Sequence, residues 1–241
     1  MKINSYLDST YLKTPAQSGL SEAETLKKVY DLSREAIEND FFEVMIRPDY
    51  VKEIKSFLND QNSTVKVGTV IGFHEGTASV EEKLAEAEKA IAEGADELDF
   101  VINYEAFKSG HIDVVKNEFL LCTKLGLDHQ KVVKWIIEIA ALSNEQIADI
   151  TSNIRNWAEQ NFNESELQHI FVKSSTGFFV TENGEPNGAT FEGIKIMIDN
   201  AGKLPVKAAG GVKSPADAQK MINLGVKRIG TSSAKSLISE E

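Results

Sequence analysis

Three charged side chains interrupt apolar runs of the kind that become buried strands. They are Asp99 in ELDFVIN (97–103), Lys173 in HIFVKSS (169–175) and Lys207 in PVKAAG (205–210). A like charge nearby and partial loss of water both favour a neutral lysine amine, lowering its pKa from roughly 10.4 toward neutrality. A neutral amine can attack a carbonyl and form a Schiff base, whose protonated form is an electron sink for carbon–carbon cleavage. A carboxylate such as Asp99 can then shuttle protons. Two lysines and an aspartate are thus the residue types of class I aldolase chemistry, although lysines at such positions also serve as phosphate clamps.

Whether the three can meet depends on the elements that carry them. Short β-rich runs recur at 3–8, 41–46, 64–72, 97–103, 131–139, 169–175, 205–210 and 227–232. Helical periodicity fills the intervals: Val80, Leu84, Ala87 and Ile91 recur at helical spacing. Ser21-x-x-Glu24, Ser79-x-x-Glu82 and Ser143-x-x-Gln146 read as capping boxes, and Ser214-Pro215 as an N-cap followed by proline at N1. Gly94, Gly126, Gly202 and Gly225 sit where helices are expected to stop. Eight strands, each followed by a helix, within 241 residues describe an α/β chain closed as a (β/α)8 TIM barrel, one domain over 1–241. A doubly wound open sheet shares the alternation, but no G-x-G-x-x-G turn follows the first strand and no P-loop is present. The longest irregular stretch, 180–190, reads as a βα loop or lid.

Strand alternation sorts side chains into helix-facing and lumen-facing sets. Leu98, Phe100 and Ile102 face the helices, which turns Glu97, Asp99, Val101 and Asn103 inward. The same test sends Lys134, Glu138, Lys173 and Lys207 into the lumen, with Glu43, Met45 and Arg47 of the second strand and Lys66 of the third. A structural barrel fills these layers with Val, Ile and Leu, and a buried charge costs several kcal/mol unless paired. Glu97, Lys66 and Glu43, deeper on their strands, read as neutralising partners. Asp99, Lys173 and Lys207 lie toward the catalytic rim, with Lys173 and Lys207 on neighbouring strands. Gly210-Gly211 after strand 7, and Gly230-Thr231-Ser232-Ser233 before a last short helix, occupy the place where barrels bind phosphate through backbone N–H groups and a helix N-terminus.

A formal net charge of −11 argues against nucleic acid and anionic membrane as partners, and no run is long enough to span a bilayer. The opening MKINSYLDST lacks the apolar core of a signal peptide, and the single Cys122, read as a buried thiol, fits a reducing cytoplasm. His74, His111, His129 and His169 show no metal-ligand spacing. His74 reads as an exposed loop residue, His169 as structural, and the Glu/Lys-rich 81–93 run as a solvated helix face. Phe178-Phe179 either caps the apolar layer of the barrel or packs on substrate.

The stretches LDSTYLK (7–13), VIGFHEGT (70–77), EGADELDFVIN (93–103), KWIIE (134–138), FVKSSTGF (171–178), VKAAGGVKSPADAQ (206–219) and RIGTSS (228–233) resemble the deoxyribose-phosphate aldolase family over most of the chain. The resemblance implies reversible, metal-free cleavage of 2-deoxy-D-ribose 5-phosphate to acetaldehyde and D-glyceraldehyde 3-phosphate in deoxyribonucleoside breakdown, with no cofactor beyond a covalent lysine imine. It implies Lys173 as the Schiff-base lysine, Lys207 as the lysine that lowers its pKa, Asp99 as proton donor and acceptor through water, and Lys134 beside Asp99. Asp8, Thr10, Thr176, Gly177, Gly210, Gly211, Gly230, Ser232 and Ser233 match the sugar- and phosphate-contacting positions, and a homodimer is the family's expectation. The chain departs from the pattern at Ser9 for a histidine, Met45 for a cysteine, His74 for a proline and Ile139-Ala140 after the strand-5 glutamate. It ends in SLISEE where some members carry a tyrosine tail. Two other readings remain: a Schiff-base aldolase or transaldolase-like enzyme for another substrate, and a non-catalytic barrel that senses a sugar phosphate.

Overall fold

The structure is a computed structural model that describes residues 3–182 and 184–238; residues 1–2 at the start, Asn183 in the 180–190 stretch and 239–241 of the SLISEE tail lie outside the described residues. Eight parallel strands close in sequence order into a barrel. They are β1 (Leu7–Tyr11), β2 (Glu43–Ile46), β3 (Lys66–Ile71), β4 (Glu97–Val101), β5 (Val132–Ile136), β6 (Ile170–Lys173), β7 (Val206–Ala209) and β8 (Arg228–Thr231). The expected strand at 3–8 starts late, because Ile3–Tyr6 winds as a 3-10 turn. The alternation within it is unaffected.

Local chemistry sets the helix ends. Ser21, Ser79 and Ser143 each accept the N3 backbone N–H while the N3 side chain reaches back to the cap. Ser214 accepts from Asp217 N, with Pro215 opening the helix. Gly202 and Gly225 end their helices. Gly126 does not: it lies buried inside the helix Ile112–Asp128, and a Cβ there would stand 2.3 Å from Val133 Cγ2 of β5. Close helix–strand approach, not chain reversal, is why glycine sits at 126. The outward strand faces bury Leu98, Phe100 and Trp135; Trp135 stacks on Phe100 at 5.2 Å and donates through Nε1 to Thr123 Oγ1 at 2.9 Å. Cys122 is buried in this shell, and burial pushes its thiol up to about 12.

The helix Val80–Ala92 has the solvated face expected of it, with Glu81, Glu82, Glu88 and Lys89 exposed and Lys89 4.0 Å from Glu93, but its opposite face carries charge too. Lys83 is fully buried and donates to Gly76 O (2.7 Å) and Val101 O (2.8 Å), and pairs with buried Glu118. Glu86 accepts from Gly72 N at 2.7 Å. This inner face of the helix holds the loop after β3.

Alternate strands place lumen side chains at common heights, as a barrel of this shear requires. The register stacks Glu43, Glu97, Phe171 and Arg228 at the bottom, then Asp8, Gly68, Lys134 and Lys207. Met45, Asp99, Lys173 and Gly230 follow, with Thr10, Val70, Ile136 and Ala209 at the top. Lys66, expected in the lumen, sits at the lower end of β3 and is exposed, because the strand begins there and the wall below it is missing.

Gly126→Ala tests the packing account. Alanine gains up to ~1 kcal/mol of helix propensity over glycine, but overpacking against Val133 costs ~1–3 kcal/mol. The expected result is a net loss of stability of about 1 kcal/mol, read as a lower denaturation midpoint; a rise would show that the helix has room to shift.

Candidate active site

Asp99 is the hub of the lumen. Its Oδ1 accepts from Lys134 Nζ at 2.6 Å, and its Oδ2 from Lys173 Nζ at 2.8 Å and Lys207 Nζ at 2.9 Å. All four groups are buried. Lys173 and Lys207 are paired partners across β6 and β7, which brings the two ammonium groups to one carboxylate oxygen. Below them Asp8 meets Lys207 (2.5 Å) and Arg228 Nε (2.7 Å), and Glu97 meets Lys134 (2.6 Å) and Arg228 (3.1 Å).

The lysines do not titrate alike. Burial depresses Lys173 most, Asp99 opposes this, Lys207 and Lys134 add to it, and the amine falls to about 8. Lys207 is equally buried, but the carboxylates of Asp8 and Asp99 outweigh desolvation and hold it above the ordinary lysine value. Lys134 is raised in the same way by Asp99, Glu43 and Glu97 against burial. Burial would raise Asp99, yet its three lysines hold it well below the usual carboxylate range. Of the three lysines, only Lys173 reaches a pKa near neutrality, and it is the highest of the three in the barrel.

A cavity of about 570 Å³ opens above Lys173, lined by Thr10, Thr176, Gly177, Gly210, Gly230 and Ser232 among others. Gly177, Gly210 and Gly211 all take positive φ (78, 70 and 75°), a left-handed backbone that lets N–H groups turn toward a ligand. Other expected contacts fall elsewhere. Asp8 is fully buried beside Lys207, one layer below Lys173, and does not line the cavity. Gly211 packs against Ala189, where a Cβ would meet Ala189 O at 2.6 Å, and neither it nor Ser233 is on the wall. The last helix is only a four-residue 3-10 turn, Ala234–Leu237. It supplies no helix dipole for phosphate, so loop N–H groups are the available donors.

Several residues of the site escaped the sequence reading. Arg228 alternates with Gly230 on β8 and faces the lumen, a signal that the same alternation test would have found. Lys13 and Lys28 line the cavity mouth, and among the described residues neither meets a carboxylate. Asn187 lines it too and donates to Gly177 O at 3.2 Å, tying the 180–190 segment to the loop after β6. Glu138, already read as facing the lumen, leaves β5 in a left-handed conformation (φ 54°), and its Oε2 accepts from Thr176 N at 3.1 Å and from the Thr176 hydroxyl. His74 is half-buried, stacked on Phe178 with centroids 5.6 Å apart, so it belongs to the aromatic rim and not to an open loop. Phe178 packs with Phe73 near Leu12, Met45 and Val70, the capping role considered for it, and it also lines the cavity. Among the described residues no group of three or more His, Cys, Asp or Glu is arranged to hold a metal ion.

The family model described as DeoC/LacD family aldolase matches residues 8–236. The chain belongs to the DeoC/LacD aldolase family. It is an aldolase, a carbon–carbon lyase. It is 36% identical over 242 residues to a deoxyribose-phosphate aldolase of Caldicellulosiruptor saccharolyticus, covering 100% of this chain and 98% of that one. It is 38% identical over 240 residues to deoxyribose-phosphate aldolase 1 of Vibrio vulnificus, covering 99% and 97%. Among solved structures, the tetrameric deoxyribose phosphate aldolase from Aeropyrum pernix superposes with a TM-score of 0.76 at 30% identity, over 98% of this chain and 89% of that one.

Two measurements check the site. Amine acetylation of Lys173, followed by peptide mass mapping, is expected to rise with pH through a midpoint near 8, while Lys134 and Lys207 stay protected across that range. Thr176→Val removes the hydroxyl that donates to Glu138 and accepts from Phe178 N (3.0 Å). Leaving those buried groups unpaired is expected to cost ~1–3 kcal/mol in denaturation and to loosen the Gly177 turn, raising KM; unchanged stability would mean that the pair is replaced by water.

Proposed function

We propose that the chain reversibly cleaves 2-deoxy-D-ribose 5-phosphate to acetaldehyde and D-glyceraldehyde 3-phosphate through an imine on Lys173. The observation that carries this reading is a buried lysine with a pKa near 8, seated on a carboxylate at the floor of a cavity ringed by glycine turns. The neutral Lys173 amine attacks the aldehyde carbon of the open-chain sugar, and loss of water gives the iminium. A base takes the C3 hydroxyl proton through water, and the C2–C3 bond breaks, its electrons flowing into the iminium. Glyceraldehyde 3-phosphate leaves, the enamine is protonated at C2, and water releases acetaldehyde. Asp99, held ionised, orients Lys173 and accepts or returns protons through water and Lys207; Lys134 fixes the far oxygen of Asp99.

The phosphate end falls to the Gly177, Gly210, Gly230 and Ser232 turns, with Lys13 and Lys28 supplying positive charge in an otherwise acidic protein. Thr10, whose hydroxyl donates to Asp8 O at 2.9 Å, and Thr176 lie on the sugar side. Gly211 and Ser233 support those turns from behind, and Asp8 acts from beneath through Lys207. The chemistry gives no role to a metal. A role in deoxyribonucleoside breakdown, in the cytoplasm and as a homodimer, is the matching expectation; the buried lone thiol of Cys122 fits a reducing compartment.

Borohydride reduction in the presence of acetaldehyde, then mass mapping, is expected to place one adduct on Lys173 and none in Lys173→Leu. An adduct on another lysine, or none, overturns the assignment. Lys28→Met is expected to raise KM for the phosphorylated sugar by about tenfold, the scale of one ~1.4 kcal/mol contact, while turnover of unphosphorylated deoxyribose changes little. Equal loss on both substrates would remove Lys28 from the phosphate site.

A further inference from the structure

The lumen holds eight ionisable groups in mutual contact: Asp8, Glu43, Glu97 and Asp99 against Lys134, Lys173, Lys207 and Arg228. Four carboxylates balance four cations only when Lys173 is charged. The proposed reaction needs Lys173 as a free amine, and then one negative charge is left over in a dry interior, at a cost of several kcal/mol. One carboxylate must therefore take up a proton when Lys173 loses its own.

Glu43 is the carboxylate whose surroundings fit that role. Asp8, Glu97 and Asp99 each have a cation within 2.5–2.7 Å. Glu43 has none so near: Arg228 lies at 3.3 Å, Lys134 at 3.4 Å and Lys207 at 3.7 Å. It is faced by Asp8 from β1, Glu97 from β4, Lys134 from β5, Lys207 from β7 and Arg228 from β8. From β3 there is only Gly68, where a Cβ would stand 2.1 Å from Glu43 Oε1. Asp8 and Glu43 are register partners on neighbouring strands, and both carboxyls meet Lys207 and Arg228. Asp8 Oδ2 has no protein donor in hydrogen-bond geometry, despite its 2.5 Å approach to Lys207. Two neighbouring carboxyl groups bind one proton between them more tightly than either alone.

We propose that Glu43 is the proton store of this site: it holds a proton against Asp8 while Lys173 is a free amine, and releases it when Lys173 becomes an iminium cation. This rests on the Schiff-base reading of Lys173. In the step, the Lys173 amine, the substrate aldehyde and the Glu43 carboxylic acid become a Lys173 iminium, one water and the Glu43 carboxylate. The C=N bond forms as the C–O bond of the carbinolamine breaks, and the proton lost by Glu43 balances the charge gained at nitrogen. The lumen is then three against three before the step and four against four after it. The route runs from Asp8 and Glu43 to Lys207 Nζ and to Asp99 Oδ2 at 2.9 Å, which lies 2.8 Å from Lys173 Nζ and passes the proton through water to the carbinolamine hydroxyl that leaves as water. Each hop hands on one proton, so no intermediate group keeps a changed charge. Burial, with Asp8 and Glu97 beside it, holds Glu43 well above the usual carboxylate range against the pull of Lys134 and Lys207. Glu43 touches no substrate and is a positioning residue.

The test compares the natural chain with Glu43→Gln, which keeps the shape and a donor for Asp8 but can neither gain nor lose the charge. Without the carboxylate, protonated Lys173 lacks its balancing anion, so the acetylation midpoint of Lys173 is expected to fall by about one pH unit. The fraction of Lys173 trapped as the acetaldehyde adduct is expected to drop about tenfold, and Glu43→Asp to restore part of both. An unchanged midpoint and an unchanged adduct fraction overturn the proposal. If the natural chain gives no adduct, the Schiff-base reading fails by itself, while the acetylation midpoint still decides whether Glu43 and Lys173 share a proton. Should Glu43→Gln not fold, infrared difference spectra of the natural chain with carbon-13-labelled glutamate decide. Loss of a protonated-carboxyl band on adding acetaldehyde supports the proposal, and no change in such a band overturns it.

Discussion

The structure depends on one desolvated carboxylate, Asp99, receiving three ammonium groups. No other arrangement makes this lumen tolerable: three buried lysines without a common acceptor repel one another and lose their hydration together. With Asp99 between them, Lys134 and Lys207 become fixed cations, tied down further by Glu97 and Asp8. Lys173, one layer higher, shares only an oxygen of Asp99 that Lys207 already occupies. Its low pKa is thus a matter of height in the barrel. The same burial acts on all three, and the supply of carboxylates from below decides which amine stays neutral.

The barrel walls make that geometry possible. A closed sheet of parallel strands presents apolar residues outward to the helices, and there the hydrophobic burial accumulates. That shell carries the cost of a charged interior. Glycine at 68 leaves room for Glu43 and Met45, and glycine at 126 lets a helix close on β5. Above the strands the loops are fixed by carboxylates outside the hub: Glu138 holds Thr176, Glu86 holds Gly72, and the buried Lys83–Glu118 pair ties the loop after β3 to the end of β4. Floor and rim are thus positioned independently, the floor by ion pairs and the rim by side chains bonded to loop backbone.

Much of this could be read in the chain. Strand alternation turned Asp99, Lys134, Lys173 and Lys207 inward, and serine caps located the helices that separate them. The failures were local and have physical reasons. Lys66 obeys the alternation, but its strand starts there at the lower edge of the barrel, and where a barrel wall begins depends on register with neighbours distant in sequence. Gly126 reads as a stop signal in one dimension and proves to be a contact in three. Lys83 looks like any lysine on a charged helix; only the packing of that helix on β3 and the helix Ile112–Asp128 buries it. Arg228 lay within reach of the reading, since it alternates with Gly230 on the short β8.

Arg228 also constrains which group in the lumen can exchange a proton. A guanidinium stays charged under all ordinary conditions, and it lies nearer to Asp8 and Glu97 than to Glu43. Asp99 is fixed by its lysines. Of the four carboxyl groups only Glu43 is left without a short cationic contact, and of the four cations only Lys173 lacks a carboxylate of its own. A closed, dry network of eight charges therefore has one donor and one acceptor free to trade a proton, at opposite ends of the same chain of contacts. Nucleophilicity at the rim and protonation at the floor become two aspects of one charge balance.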